Sequence, residues 1–261
     1  MQFTKNSLVL SPPNFISLKL TDSTNNYAKS LITSRNTNSR PIPDGAVIMA
    51  EQQTAGRGQQ GNSWHSTAGK NILCSIIHSA AFLEPSAQFL ISITASLAVR
   101  DLLVAKGISD IAIKWPNDVY SGCQKIAGLL IENVIQGNSL FYTIVGIGIN
   151  VNEEAFPEAL SRAISMKMRC QTYFDVKEVM EELLFCFDLR WQQLKNSQHT
   201  LLLKTYTDFL MGFEVKCKFA SSNRSFEGVI RGISGSGELL IEENNRITAY
   251  RNKEIEFVFA T

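Results

Sequence analysis

Net charge is the first thing this 261-residue chain lacks. It carries 25 Lys and Arg against 24 Asp and Glu, leaving a formal +1. That balance excludes a protein whose main task is to coat nucleic acid, because displacing counterions from phosphates needs a large basic excess. Paired cysteines are missing too. The five (Cys74, Cys123, Cys170, Cys186 and Cys217) are odd in number and none forms a C-x-x-C pair. They read as reduced thiols, which points to a cytoplasmic protein. The most apolar stretch, residues 89–99, is 11 residues long, short of the about 18 that a membrane span needs. The run Ser7-Leu8-Val9-Leu10 stops at Pro12-Pro13, too soon for a signal-peptide core. The three histidines (His65, His78 and His199) are scattered without metal-ligand spacing. What is present is an ordinary globular composition, 44% hydrophobic and 19% charged, which argues against extended disorder.

The small total hides an uneven distribution. Residues 1–131 hold 11 basic and 7 acidic side chains, residues 132–210 hold 7 and 10, and residues 211–261 hold 7 and 7. An anionic ligand is therefore more at home in the first half.

Residue patterns predict an α+β region followed by an all-β one. Strands are expected at 15–20, 47–51, 72–78, 111–115, 126–134 and 140–149, the last two joined by a Gly137-Asn138 turn. The capping cluster Asp22-Ser23-Thr24-Asn25 opens a short helix. Pro85 opens a second, whose apolar residues recur every three or four positions until Gly107 ends it. Further helices are expected at 157–164, 176–194 and 200–210. After Met211-Gly212 the pattern changes to five short strands separated by Gly, Ser and Asn turns, which suggests a small barrel. The boundary divides the chain into residues 1–210 and 211–261.

Gly56-Arg57-Gly58-Gln59-Gln60-Gly61 matches G-x-G-x-x-G literally. A dinucleotide fingerprint needs those glycines between a strand and a helix, so that the helix N-terminus meets the pyrophosphate. Here they lie five residues past the strand and run into another strand, so the Rossmann reading fails. What remains is a flexible loop carrying Arg57, whose planar donors suit carboxylate or phosphate, between glycines that allow close backbone approach. Trp64 ends the loop and could cover a ligand. Lys114-Trp115-Pro116-Asn117-Asp118 closes a strand, and Pro116 stops pairing, so Asn117 and Asp118 should project from its end. Lys125 leads the next strand, with small Ala127 and Gly128 behind it.

In order and spacing these segments resemble the biotin protein ligases, together with Gln53 and Gly146-Ile147-Gly148-Ile149-Asn150. The resemblance spans roughly residues 15–151. It implies a mixed β-sheet flanked by helices, like a class II synthetase core, followed by a small SH3-like β-barrel. It further implies that biotin is activated with ATP to biotinyl-5'-AMP and passed to a lysine of a biotin carboxyl carrier domain. Ser23, Thr24, Asn25 and Gln53 would bind biotin, with Arg57, Gly58, Gln59 and Lys125 around its carboxylate. Arg57, Trp64, Asn117, Asp118, Lys125 and Asn150 would hold ATP and the adenylate. Arg57, Lys125 and Asp118 would act in catalysis. Mg2+ would arrive with ATP, near Asp118, without dedicated protein ligands.

The chain departs from the best-known bacterial pattern, in which arginines fill the places of Gln59, Gln60 and Asn62; the neutral residues imply weaker retention of the adenylate. The residues ahead of the first strand leave no room for the helix-turn-helix of the form that doubles as a repressor. No DNA or membrane partner is therefore expected, and a homodimer is left open. Two competing readings are a lipoate or octanoate ligase of the same superfamily and a non-catalytic biotin-binding module. Ser23, Thr24 and Gln53 favour biotin, and the presence of both Arg57 and Lys125 favours catalysis.

Overall fold

The computed structural model describes residues 14–35, 42–137, 139–221 and 224–259. The Ser7-Leu8-Val9-Leu10 run and Asn138 of the expected turn lie outside them. Seven strands form one mixed sheet: β1 (Phe15–Thr21), β2 (Ala46–Gln53), β3 (Ile72–Ser79), β4 (Ile111–Lys114), β5 (Asp118–Ser121), β6 (Gln124–Gln136) and β7 (Ser139–Ile149). Their spatial order is β1-β2-β3-β7-β6-β5-β4. Only the β1–β2 pair is parallel. The helices are α1 (Thr24–Arg35), α2 (Phe89–Ala105), α3 (Met166–Cys170), α4 (Val176–Lys195) and α5 (His199–Asp208).

Strand alternation sends neighbouring apolar side chains to opposite faces. Ile48, Ile77 and Ile144 pack under Ala28 and Ile32 of α1. Val47, Ile76 and Val145 face the other way and join the larger core under α2 and α4. In α4 the buried residues Val179, Met180, Leu183, Leu184, Phe187, Trp191 and Leu194 recur every three or four positions. Asp175 caps that helix, accepting from the N–H groups of Lys177 and Glu178.

Segment Pro85–Ala105 corrects the hydropathy reading. At 21 residues, with a mean hydropathy of 1.5 over an 18-residue window, it is long and apolar enough to cross a membrane. Ten of its side chains are instead buried in the core, among them Ile91, Ile93, Leu97, Leu102 and Leu103.

Two other expectations need correction. The helix expected over 157–164 is only a single 3-10 turn, Glu158–Leu160. The segment runs beside β6 instead: Lys125 N–H donates to the Arg162 carbonyl at 2.6 Å and Ile164 N–H to the Lys125 carbonyl at 2.9 Å. Strand β5 was not expected. Pro116 ends β4 and the chain folds straight back, pairing Lys114 with Asp118.

The C-terminal strands β8 (Lys216–Ser221), β9 (Ser225–Ile233), β10 (Leu239–Glu243), β11 (Arg246–Tyr250) and β12 (Ile255–Phe257) form an antiparallel sheet. Its order is β11-β10-β9-β8-β12, with β11 and β12 at its two edges, where a closed barrel was expected. This sheet docks on the first. Trp115 Nε1 donates to the Gly237 carbonyl at 2.8 Å in a buried contact, and Phe219, Ile230 and Leu239 belong to the same apolar cluster as α2.

Candidate active site

A cleft of about 330 Å³ opens on the α1 side of the large sheet. Its floor is made of glycine. Gly128 of β6 pairs with Gly148 of β7, and Gly146 lies opposite Leu130. Each missing side chain is necessary. A Cβ on Gly146 would stand 2.3 Å from Asn25 Oδ1, and one on Gly148 would stand 2.6 Å from the Trp64 ring.

At one end of the cleft, neutral polar groups interlock. Ser23, Thr24 and Asn25 are buried at the start of α1. Gln53 Oε1 accepts from Thr24 N–H at 2.7 Å and lies 3.2 Å from Thr24 Oγ1. Gln53, at the end of β2, thus satisfies a helix N–H that would otherwise be an orphan. Ser75 Oγ lies 2.8 Å from Thr24 Oγ1 and 2.6 Å from Asn25 Oδ1. The Asn25 amide donates to Glu132 Oε2 at 2.8 Å.

The Gly56–Gly61 segment is not the free loop its composition suggests. Trp64 N–H donates to the Gly56 carbonyl at 2.9 Å and Gly58 N–H to that of Asn62 at 2.7 Å, closing a narrow hairpin. Gly56 is obligatory there, because a Cβ would stand 2.5 Å from the Trp64 carbonyl oxygen. Buried Glu153 anchors the outgoing end, accepting from Thr67 N–H at 2.6 Å and the Asn71 amide at 2.7 Å. Trp64 lays its indole across Gly128 and Gly148, with the Lys125 ammonium 5.7 Å from its ring.

Two of the cations that line the cleft are paired. Arg57 donates to Asn26 Oδ1 at 2.7 Å and to Glu132 Oε1 at 3.2 Å. Asn26 is itself fixed by Asp22, whose carboxyl is held below its ordinary value by the Asn26 amide and then by the Ser23 N–H. Lys125 lies 2.7 Å from Asp118 Oδ1. Asn117 is buried at the β4–β5 turn and donates to the Leu129 carbonyl at 2.5 Å.

The structure therefore brings Ser23, Thr24, Asn25, Gln53, Arg57, Gly58, Gln59, Trp64, Asn117, Asp118 and Lys125 to one cleft. Asn150 is the exception among the expected ligand contacts. It is buried behind β6, where its amide donates to the Ile164 carbonyl at 3.1 Å, and it does not line the cleft. Ala127 is buried in the apolar core and likewise leaves the cleft to Gly128.

Sequence reasoning missed Glu132, Ser75, Asn252, Lys253 and Glu256. Glu132 and Ser75 are polar residues inside otherwise apolar strands, and that was their signal. The last three come from the C-terminal sheet and only the fold brings them in. Asn252 donates from its amide to Gln59 Oε1 at 2.7 Å, tying the C-terminal region to the loop. Among the described residues, no three His, Cys, Asp or Glu side chains converge as metal ligands do.

Residues 17–150 match the Biotin/lipoate A/B protein ligase family. The chain belongs to that family. Among curated relatives, it is 30% identical over 217 residues to the "Bifunctional ligase/repressor BirA" of Bacillus subtilis, covering 82% of this chain and 66% of that protein. It thus spans slightly less than two thirds of the length of that relative. It is 30% identical over 210 residues to the "Biotin--[acetyl-CoA-carboxylase] ligase" of Mycobacterium tuberculosis, covering 78% of this chain and 75% of that one. A solved biotin protein ligase from Aquifex aeolicus, in complex with biotin and ATP, superposes with a TM-score of 0.78. It is 25% identical and covers 95% of this chain and 100% of that one.

Proposed function

We propose that this protein is an ATP-dependent biotin protein ligase, forming biotinyl-5'-AMP and then an amide on a lysine of a biotin carboxyl carrier domain. The observation that carries the reading is a single cleft with neutral polar groups at one end and Arg57, Lys125 and Asp118 along its length. A carboxylate is a poor electrophile. In the first step a biotin carboxylate oxygen attacks the α-phosphorus of ATP, and the bond to the pyrophosphate oxygen breaks. Negative charge grows on the equatorial phosphate oxygens, where Arg57 and Lys125 would stabilise it.

Both cations have carboxylate partners to give up. The Arg57–Glu132 pair is exposed, and such pairs contribute about 0–1 kcal/mol. A charge-assisted hydrogen bond to an anionic ligand contributes about 1.5–3 kcal/mol, so the substrate wins the exchange at Arg57. In the second step the neutral carrier amine attacks the acyl carbon and the bond to AMP breaks. No enzyme nucleophile is needed. Asp118, once Lys125 turns to phosphate, is the carboxylate placed to orient that amine or accept its proton.

Mg2+ would enter with ATP, near Asp118, and would supply charge to offset that of the phosphates. Residues 1–210 would hold biotin and ATP, and residues 211–261 would be the family's SH3-like element. All five cysteines are unpaired, which supports a reducing, cytoplasmic setting. The test is direct. The protein is mixed with Mg-ATP, a biotin carrier domain and either biotin or lipoate, and the carrier is weighed by intact-mass spectrometry. A shift of one biotinyl group is expected. A lipoyl shift alone would assign the competing ligase, and no shift with either would leave a binding module.

A further inference from the structure

We propose that Glu153 is a positioning residue that holds the Trp64 loop and the backbone of Lys125 together as one unit. Its hold on the loop stands on geometry, and its effect on the reaction rests on the ligase reading above. Glu153 is a buried carboxylate to which that reading gives no task; it is only 4% exposed. The partners on its two oxygens are neutral donors. Thr67 N–H donates to Oε1 at 2.6 Å, the Thr67 hydroxyl to Oε2 at 3.0 Å and the Asn71 amide to Oε1 at 2.7 Å. A carboxylate out of water is costly unless such donors fill its oxygens, so the site fixes where they stand.

Glu153 reaches two parts of the cleft from opposite sides. Through its side chain it holds Thr67, three residues past Trp64, whose indole covers Gly128 and Gly148. Through its backbone it holds the segment that follows. The Glu153 carbonyl accepts from the Ser165 hydroxyl at 2.6 Å, which closes residues 153–165 into a loop. That loop grips Lys125 on both sides of its backbone: Lys125 N–H donates to the Arg162 carbonyl, and Ile164 N–H donates to the Lys125 carbonyl. One carboxylate thus connects the ring over the glycine floor to the strand end that carries the Lys125 ammonium.

The link has a firm end and a loose one. Asn71 is buried and its Oδ1 also accepts from Val151 N–H at 3.0 Å, so it stays in place without the carboxylate. Thr67 is exposed, and water can take over as its acceptor. Removing the carboxylate therefore frees the loop and spares the core. Glutamine in its place keeps one acceptor oxygen, and the Thr67 hydroxyl can rotate to accept from the new amide.

Trypsin cutting after Arg57 reads the opening of the loop, because Arg57 lies opposite Ser63 in the hairpin. Wild type, Glu153→Ala, Glu153→Gln and Thr67→Val are digested under native conditions and the cut sites identified by mass spectrometry. Glu153→Ala is expected to be cut at Arg57 about tenfold faster, and Glu153→Gln within about twofold of wild type. Thr67→Val touches only the exposed end of the link and should be cut about threefold faster; it decides the question if Glu153→Ala does not fold. Cutting at the wild-type rate in the folded variants would overturn the proposal. So would acceleration spread evenly over all sites, the mark of a merely structural role. Pyrophosphate exchange is measured on the same proteins. Glu153→Ala should raise the KM for biotin and lower kcat, each about tenfold, with Glu153→Gln restoring both. A raised KM with kcat intact would overturn the link to Lys125. No exchange by the wild type would overturn the ligase reading, while the digestion still decides the role of Glu153.

Discussion

The two ends of the cleft solve different problems with different chemistry. At the α1 end, Thr24, Gln53, Ser75 and Asn25 are neutral, mostly buried and already hydrogen-bonded to one another. Along the rest of the cleft, Arg57, beside that cluster, and Lys125, away from it, sit on carboxylates that a ligand must displace. The first arrangement is fixed before ligand arrives, which suits recognition of a rigid polar ring. In the proposed reaction the second would change partners, which suits a substrate whose charge grows and then leaves. Recognition and activation are therefore separable by mutation.

The sharpest break falls at the ionic end. Lys125→Ala should abolish adenylate formation, a loss of about a thousandfold or more in pyrophosphate exchange, while thermal melting reports an intact fold. Exchange at the wild-type rate would remove Lys125 from the mechanism. Arg57→Ala acts beside the neutral cluster as well as on the anion, because its guanidinium is held by Asn26 of α1 and by Glu132, which also accepts from Asn25. Biotin and adenylate affinity should fall together by about thirtyfold; a defect confined to carrier binding would contradict that role.

At the neutral end, Thr24→Val removes the hydroxyl shared with Gln53 and Ser75. The KM for biotin should rise about tenfold. The smallest effect belongs to the loop. Gln59→Arg replaces the neutral contact to Asn252 with a cation facing the cleft. It should slow escape of the adenylate about threefold, read as its off-rate by stopped flow. Equal off-rates would show that charge at this position does not retain the intermediate.

The same contrast governs what the sequence disclosed. Ser23, Thr24, Gln53, Arg57, Asp118 and Lys125 lie in short segments whose order and spacing resemble the family's, so the resemblance located both ends without coordinates. Strands β1 to β3 were equally legible, as short apolar runs bounded by turn residues. Long-range pairings were not. Asn150 reads as a polar residue at a strand end, but its amide is consumed by the Ile164 carbonyl, fourteen residues away. The 157–164 segment has helical composition, yet the backbone of Lys125 claims its hydrogen bonds. Strand β5 is four residues long and follows a proline, so it shows no usable period. Asn252 and Phe257 enter the cleft only because the C-terminal sheet docks through Trp115, a contact spanning 122 positions.

The division between recognition and activation is tested most directly by pyrophosphate exchange at saturating biotin, with Thr24→Val and Lys125→Ala assayed side by side. Thr24→Val should recover near wild-type turnover once biotin is saturating, and Lys125→Ala should show none at any concentration. Turnover lost alike in both proteins would contradict the account.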